Sequence, residues 1–179
     1  GYGADGTIWG GELLLGSVAG VERVGHLRPV SLPGGDAAIG HPARTAAAHL
    51  HAAGLGWEGT ASAAASTPQE AAVLAQMLAT GSHCTPTTSM GRLFDAIASL
   101  LDVRHEVTYE AQAAIELEAL AAGITDEAPG WRAGPSGSEV RTTDQGNILI
   151  DPSGWIARAV ADHAAGIDPA RSARAFHLA

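Results

Sequence analysis

Residues 87–101 constrain the fold of this chain more than any other segment. Apolar residues recur there at spacings of three and four, which predicts an amphipathic helix with one buried stripe. A hydroxyl side chain among Thr87, Thr88 and Ser89 can cap the first turn by accepting a hydrogen bond from a free backbone N–H. The stripe consists of Met90, Leu93, Phe94, Ile97, Leu100 and Leu101.

Two residues in the opening turns of this helix are not those that stability alone would choose. Gly91 costs about 1 kcal/mol relative to alanine inside a helix, so we expect a ligand or another backbone to approach it closely. The free N–H groups and the positive dipole end nearby suit a phosphate-bearing ligand. Asp95 lies one turn further on the same face, where its carboxylate can accept hydrogen bonds from ribose hydroxyls. A capped core helix that tolerates a glycine explains the same residues.

A second helix is predicted over residues 109–122, and it begins with several small residues. Small side chains let a ligand or another backbone approach, and Glu116 can meet a sugar hydroxyl beside Asp95. The alternative is an alanine-rich surface helix whose early glutamates suit the helix dipole.

Composition limits the partners of the chain. Its 179 residues carry a formal net charge of -9 and contain no basic cluster, so we expect no nucleic-acid partner. The single cysteine, Cys84, excludes an internal disulfide and a multi-cysteine zinc site. No window approaches the roughly 20 apolar residues of a membrane span, and no secretory signal opens the chain. We therefore expect a cytoplasmic protein without membrane contact, and the missing start methionine suggests a piece of a longer polypeptide.

The histidines do not predict a metal site. His49 and His51 are two residues apart, which places them on different faces of a helix, and the others lack partners at chelating spacing. We therefore expect no metal to be bound by this chain alone.

The order of predicted elements indicates an α+β or α/β fold. Residues 1–32 are predicted to form a small antiparallel sheet, with a tight turn at Asp5-Gly6, a strand over 21–30 and the Gly10-Gly11 pair read as a turn. Residues 36–123 are predicted to be mainly helical, and residues 124–146 to form a surface loop. Residues 147–179 are predicted to form a short strand and two helices. The helix starts are expected at Pro42, at the Thr67 capping box, at Met90 and Tyr109, and near Asp151 and Asp168.

Four ordered motifs between residues 1 and 118 carry a family resemblance. They are the first twelve residues, the segments 23–29 and 32–38, Ser-Met-Gly-Arg-Leu-Phe-Asp-Ala at 89–96, and Tyr-Glu-Ala-Gln-Ala-Ala at 109–114 with Glu-Leu-Glu at 116–118. Together they resemble the HypF family of carbamoyltransferases, which mature [NiFe] hydrogenases. The resemblance implies an incomplete carbamoyl-transfer domain over residues 1–179, TsaD-like, with part of the ASKHA fold that actin, Hsp70 and sugar kinases share.

The resemblance also implies an activity. In this family a separate domain converts ATP and carbamoyl phosphate to carbamoyl adenylate. The domain seen here then transfers the carbamoyl group to the C-terminal cysteine of HypE, on the route to the cyanide ligands of hydrogenase iron. Its ligand would be ATP or carbamoyl adenylate, and its partners would be HypE and the remainder of the HypF chain.

Site residues follow from the matched motifs. The resemblance makes Asp95 and Glu116 ribose contacts, and it makes Gly91 and the backbone of Ala111 and Gln112 walls of a nucleotide pocket. Gly3 would border the phosphate loop. The motifs assign no catalytic residue.

The chain departs from the family at both ends. The His-rich motif expected before Gly1 and the Ser-Gly-Gly segment expected after Ala179 are missing, and both supply metal or phosphate ligands in the family. We therefore expect a divalent metal in the complete enzyme but no ligands for it here, and we expect this chain alone to be inactive.

Two alternatives stay open. The first is a scaffold or interaction module without catalysis, and the second is a carbamoyltransferase with another acceptor, either tRNA or a small-molecule hydroxyl. The acidic net charge counts against tRNA.

Overall fold

The computed structural model describes residues 1–125, 131 and 139–179. Its strands are β1 (Glu12–Ser17), β2 (Gly20–Leu27), β3 (Val30–Pro33), β4 (Cys84–Thr87), β5 (Glu139–Thr142) and β6 (Ile148–Asp151). Its α-helices are α1 (Pro42–Ala52), α2 (Ala61–Ala64), α3 (Pro68–Thr80), α4 (Met90–Leu100), α5 (Gln112–Ala122), α6 (Ser153–Ala164) and α7 (Pro169–His177). A 3-10 helix covers Gly35–Gly40.

The strands form two sheets. The larger has the order β1-β2-β6-β5, in which β2 and β6 are parallel and the other pairs are antiparallel. The smaller pairs β3 with β4. The prediction of one antiparallel sheet over residues 1–32 is therefore wrong in part. Strand β2 ends at Leu27, before Pro29, which has no N–H to donate to a neighbouring strand.

The predicted loop over residues 124–146 is wrong at Glu139–Thr142, which form the exposed strand β5. Residues 126–130 and 132–138 of that prediction lie outside the described residues. Cys84 is the first residue of β4.

The predicted helix caps are largely confirmed. Thr67 and Glu70 form the complete capping box of α3, and Pro42 is the first residue of α1. Helix α5 begins at Gln112 rather than at Tyr109, because Ala111 has a left-handed φ of 62° that a helix cannot contain.

Helix α4 forms the centre of the core. Its residues Leu93, Ile97 and Leu100 are at most 1% exposed, and the helix packs against α1, α5 and α6. Phe176 of α7 lies edge-on to Phe94 of α4, with ring centroids 5.0 Å apart. This packing fixes α4, and with it the position of Asp95.

No helix among residues 1–125, 131 and 139–179 is long and apolar enough to cross a membrane.

Candidate functional site

A cleft of about 660 Å³ opens at the N-terminal end of α4. Five parts of the chain line it, and the main ones are the first nine residues, the start of α4 and the segment that precedes α5. The 3-10 helix contributes Ile39 and Gly40, and β3 contributes Leu32. The other lining residues are Gly1, Ile8, Trp9, Ser89, Arg92, Asp95 and residues 107–111.

The start of α4 is tied to the N-terminal segment by hydrogen bonds. Ser89 is the cap, since its Oγ accepts from Arg92 N at 3.4 Å. Thr87 Oγ1 donates to Ile8 O at 3.0 Å, and Met90 N donates to Gly10 O at 3.2 Å. Two walls of the cleft are thus held together by backbone as well as side-chain contacts.

Gly10 and Gly11 do more than form a turn. A Cβ atom on Gly11 would lie 2.3 Å from Thr88 O, so only glycine permits this approach. The carboxylate of Glu12 accepts hydrogen bonds from Gly10 N at 2.6 Å and Gly11 N at 2.9 Å, and from the hydroxyl of Thr88. Sequence reasoning missed this network, although a glutamate directly after two glycines was the available signal.

Asp95 lines the cleft as a buried carboxylate. It is only 3% exposed, and its Oδ2 pairs with Nη1 of Arg92 at 2.7 Å. Burial raises the pKa of Asp95 to about 6, and the charge of Arg92 opposes this rise without cancelling it. The cleft wall therefore holds a strong hydrogen-bond acceptor that has lost most of its water.

Gly91 is exposed and does not line the cleft. The atom nearest to a Cβ built there is Ser89 Oγ at 3.6 Å, an ordinary contact, so no described segment requires glycine at this position. Gly3 supports the cleft from behind, because a Cβ on it would lie 2.2 Å from Nε1 of the Trp9 indole.

The structure does not bring Glu116 to this cleft. Arg104 holds its carboxylate with two hydrogen bonds, each of 2.8 Å, and lowers the pKa of Glu116. Glu116 lines a separate depression with Asp102 and Asp168. The expectation that Glu116 lies beside Asp95 is therefore corrected. Of the other expected residues, Ala111 lines the cleft and Gln112 is buried next to it.

A Ser-His-Asp arrangement follows α4. Ser99 Oγ and His105 Nδ1 are 2.9 Å apart, and His105 Nε2 lies 2.9 Å from Asp102 Oδ1. Ser99 is 0% exposed, so its hydroxyl cannot reach a substrate. The arrangement secures the end of α4 and is not a nucleophilic site.

The remaining candidates for chemistry lie apart from the cleft. No group of three or more His, Cys, Asp or Glu side chains that could hold a metal occurs within residues 1–125, 131 and 139–179. Partial burial raises the pKa of the Cys84 thiol, which therefore lacks the thiolate character of a reactive cysteine.

Comparison with known proteins gives consistent matches. A family model described as "Carbamoyltransferase, Kae1-like Domain, second subdomain" matches residues 1–179. The carbamoyltransferase HypF homolog of Cupriavidus necator is 41% identical over the whole of this chain and 45% of its own length. Carbamoyltransferase HypF2 of the same organism is 48% identical over 68% of this chain, which corresponds to 15% of the relative.

A solved structure has the same fold. The crystal structure of full-length HypF in the phosphate- and nucleotide-bound form matches 99% of this chain with a TM-score of 0.82 and 29% identity. The chain spans 26% of that protein, and less than half of either curated relative.

Proposed function

Because the chain belongs to the HypF carbamoyltransferase family, as its second Kae1-like subdomain, we propose that it forms one wall of a carbamoyl-transfer site. Its fold is the part of the ASKHA fold that the motifs predicted. The observation that carries the proposal is the buried carboxylate of Asp95 in the wall of the cleft. A buried ionised side chain is costly, and a ligand that donates hydrogen bonds gives Asp95 a partner in addition to Arg92.

We propose that the cleft binds the nucleotide part of ATP or carbamoyl adenylate. Its volume of about 660 Å³ lies in the range of small-molecule sites. The carboxylate of Asp95 accepts from ribose hydroxyls, and the start of α4 faces the phosphate at Ser89, which lines the cleft. The HypF structure with bound nucleotide supports this choice of ligand.

The other expected residues take supporting roles in this proposal. The backbone of Ala111 and the side chain of Gln112 shape the wall opposite α4, and Gly3 sets the position of Trp9. Glu116 makes no direct contact with ribose here, since Arg104 holds it outside the cleft.

The acceptor in our proposal is the C-terminal cysteine of a HypE-like protein. Its sulfur forms a bond to the carbamoyl carbon, the bond from that carbon to the phosphate oxygen breaks, AMP leaves, and the thiol proton is released. The cleft holds AMP while this exchange occurs. Any divalent metal would be held outside the described residues, which contain no cluster of three ligands for it, so no step is assigned to it.

The surface of the chain supports a site completed by further polypeptide. Strand β1 pairs only with β2 among the described residues, and it presents three consecutive leucines. Leu13, Leu14 and Leu15 are 40%, 54% and 64% exposed. Apolar edge strands of this kind usually pair with another segment. We propose that the remainder of the HypF chain covers this edge.

Calorimetric titration of ATP and AMP into the full-length protein tests the proposal. The variant Asp95→Asn should weaken binding by at least about tenfold, because an ionised hydrogen-bond acceptor is lost. Glu139→Gln removes a carboxylate on β5, outside the cleft, and serves as the control. Unchanged affinity in Asp95→Asn would contradict the proposed site.

A further inference from the structure

The wall of the cleft opposite α4 belongs to a segment without regular structure. We call residues 102–111, between α4 and α5, the lip segment; its last five residues line the cleft. Backbone hydrogen bonds anchor its middle part, since Ala43 N donates to His105 O at 3.2 Å and Val107 N donates to Gly40 O at 3.0 Å. After Val107, backbone hydrogen bonds tie the segment to α5, since Tyr109 O accepts from Gln112 N at 3.4 Å and Ala111 O accepts from Ile115 N at 2.9 Å, and side-chain contacts hold Thr108.

A chain of side-chain hydrogen bonds runs from outside the cleft to Thr108 in its wall. Arg104 holds both oxygens of Glu116 at 2.8 Å. Glu116 Oε1 accepts from Gln112 Nε2 at 2.9 Å. Gln112 Oε1 then accepts from Thr108 N at 2.8 Å and from Thr108 Oγ1 at 3.2 Å. We call these four residues the relay.

The chemistry of the relay fixes the orientation of the Gln112 amide. A glutamine amide can rotate so that its oxygen and nitrogen exchange places, whereas an ionised carboxylate only accepts hydrogen bonds. Glu116 therefore selects the orientation in which the NH₂ group of Gln112 faces it and the oxygen faces Thr108. Burial of Gln112, which is 8% exposed, makes a wrong orientation costly because water cannot replace the lost partner.

The relay also ends where the backbone is strained. Ala111 lies between Thr108 and Gln112 with a φ of 62°, a conformation that non-glycine residues adopt only when their surroundings enforce it. The hydrogen bond from Thr108 N back to the Gln112 side chain closes a loop around this residue.

We propose that Glu116 is a positioning residue for the nucleotide cleft, which it controls by orienting Gln112 and thereby holding Thr108 and the residues up to Ala111 in place. This inference rests on the proposed function, in which the cleft binds a nucleotide. Glu116 then acts on the ligand site through Gln112 and Thr108 and makes no direct contact with the sugar.

Exchanging two of the four relay residues, Gln112 and Glu116, tests the inference in the full-length protein, with AMP as the probe. Gln112→Glu alone places two carboxylates in contact, and we expect affinity for AMP to fall by about tenfold. Glu116→Gln alone should have a smaller effect, since its amide oxygen can still accept. The double variant, Gln112→Glu with Glu116→Gln, again pairs a donor with an acceptor. The new glutamate side chain at 112 accepts hydrogen bonds from Thr108 and from the new glutamine amide at 116. The affinity of the double variant should return to within about threefold of wild type.

The pattern of coupling separates the possibilities. If Glu116 contacted the ligand, the double variant would bind no better than Gln112→Glu. If the relay only stabilised the fold, Gln112→Glu would lower the melting temperature without changing the affinity of the folded protein for AMP. Either result would overturn the inference. Hydrogen exchange at the Thr108 amide is a readout that needs no ligand. Exchange should accelerate in Gln112→Glu and slow again in the double variant, and unchanged exchange in all variants would also overturn the inference.

The same experiment distinguishes failure of the inference from failure of the proposed function. Absence of AMP binding to the wild-type protein would remove the proposed function, while the exchange of the Thr108 amide would still report on the relay. A different result would overturn the inference alone and leave the proposed function standing. In that case AMP would bind normally to wild type and to the relay variants, and only Asp95→Asn would bind it more weakly.

Discussion

Asp95 and Glu116 lie in opposite environments, although both are carboxylates on helices and both pair with an arginine. The side chain of Asp95 is 4% exposed and that of Glu116 is 28% exposed. Burial outweighs the pairing with Arg92 and raises the pKa of Asp95 to about 6, whereas hydrogen bonds from Arg104 lower the pKa of Glu116. An arginine neighbour therefore does not by itself determine the charge of a carboxylate, since the loss of water can be the larger effect.

The two carboxylates therefore differ in role: Asp95 is suited to binding a ligand, and Glu116 to holding its surroundings in place. Ionised Asp95 destabilises the folded chain, because the pKa is higher in the folded than in the unfolded state. Glu116 stabilises its surroundings through three hydrogen bonds. A residue that lowers stability and faces a cleft is the better candidate for ligand contact.

The largest expected effect on the pH dependence of stability comes from His49. Because this effect overlaps those of Asp95 and Glu116, His49 has to be replaced before the two carboxylates can be compared. His49 is buried, its Nε2 has no hydrogen-bond partner among the described residues, and burial lowers its pKa from 6.5 to about 4. Between pH 6.5 and 4, His49 is therefore protonated in the unfolded chain and neutral in the folded chain. The free energy of unfolding falls by about 3 kcal/mol as pH drops across this range. Urea unfolding at several pH values should show this loss in wild type and not in His49→Leu.

The control for that substitution is His51→Leu, an exposed position on the same helix. An equal acid dependence in wild type and His49→Leu would show that His49 does not remain neutral in the folded state.

The next effect concerns Asp95. Asp95 is protonated below about pH 6 in the folded state, and only at lower pH in the unfolded state. Its contribution to the free energy of unfolding is therefore lost as pH rises through 6. We expect Asp95→Asn to stabilise the protein by about 2 kcal/mol at pH 8, the gain being reduced because Arg92 loses its partner. The gain should vanish near pH 4. Measured in a His49→Leu background, destabilisation at pH 8 would contradict the assignment.

The smallest effect is expected at Glu116. Its pair with Arg104 is partly exposed, and such pairs contribute little to stability. Glu116→Gln should therefore change the melting temperature by about 2 °C or less. A much larger shift in calorimetry would mean that Glu116 belongs to the stabilising core and would remove the contrast with Asp95.

Local signals were sufficient to predict much of the fold. The capping box of Thr67 and Glu70 lies within four residues, and it was found without knowledge of the rest of the chain. Helical spacing placed Gly91 and Asp95 on the same ligand-facing side, and of these two only Asp95 lines the cleft. Strand β5 was missed because all four of its residues are exposed and only pairing with β6 makes them a strand.

The site was harder to predict than the fold because it depends on contacts between distant segments. The start of α5 shifts to Gln112 because Ala111 is left-handed, and the lip segment before it is anchored to Gly40, more than sixty residues earlier. The pairing of Glu116 with Arg104 turns that carboxylate away from Asp95, and no helical spacing encodes this choice.

The bare edge of β1 has a practical consequence for handling this polypeptide. Between Glu12 and Ser17 it carries no lysine, proline or further charge, so nothing in its own residues discourages strands of neighbouring molecules from adding to it. Preparations of residues 1–179 on their own are expected to self-associate with rising concentration, so biophysical work on the isolated subdomain calls for dilute samples or a solubilising substitution among the leucines.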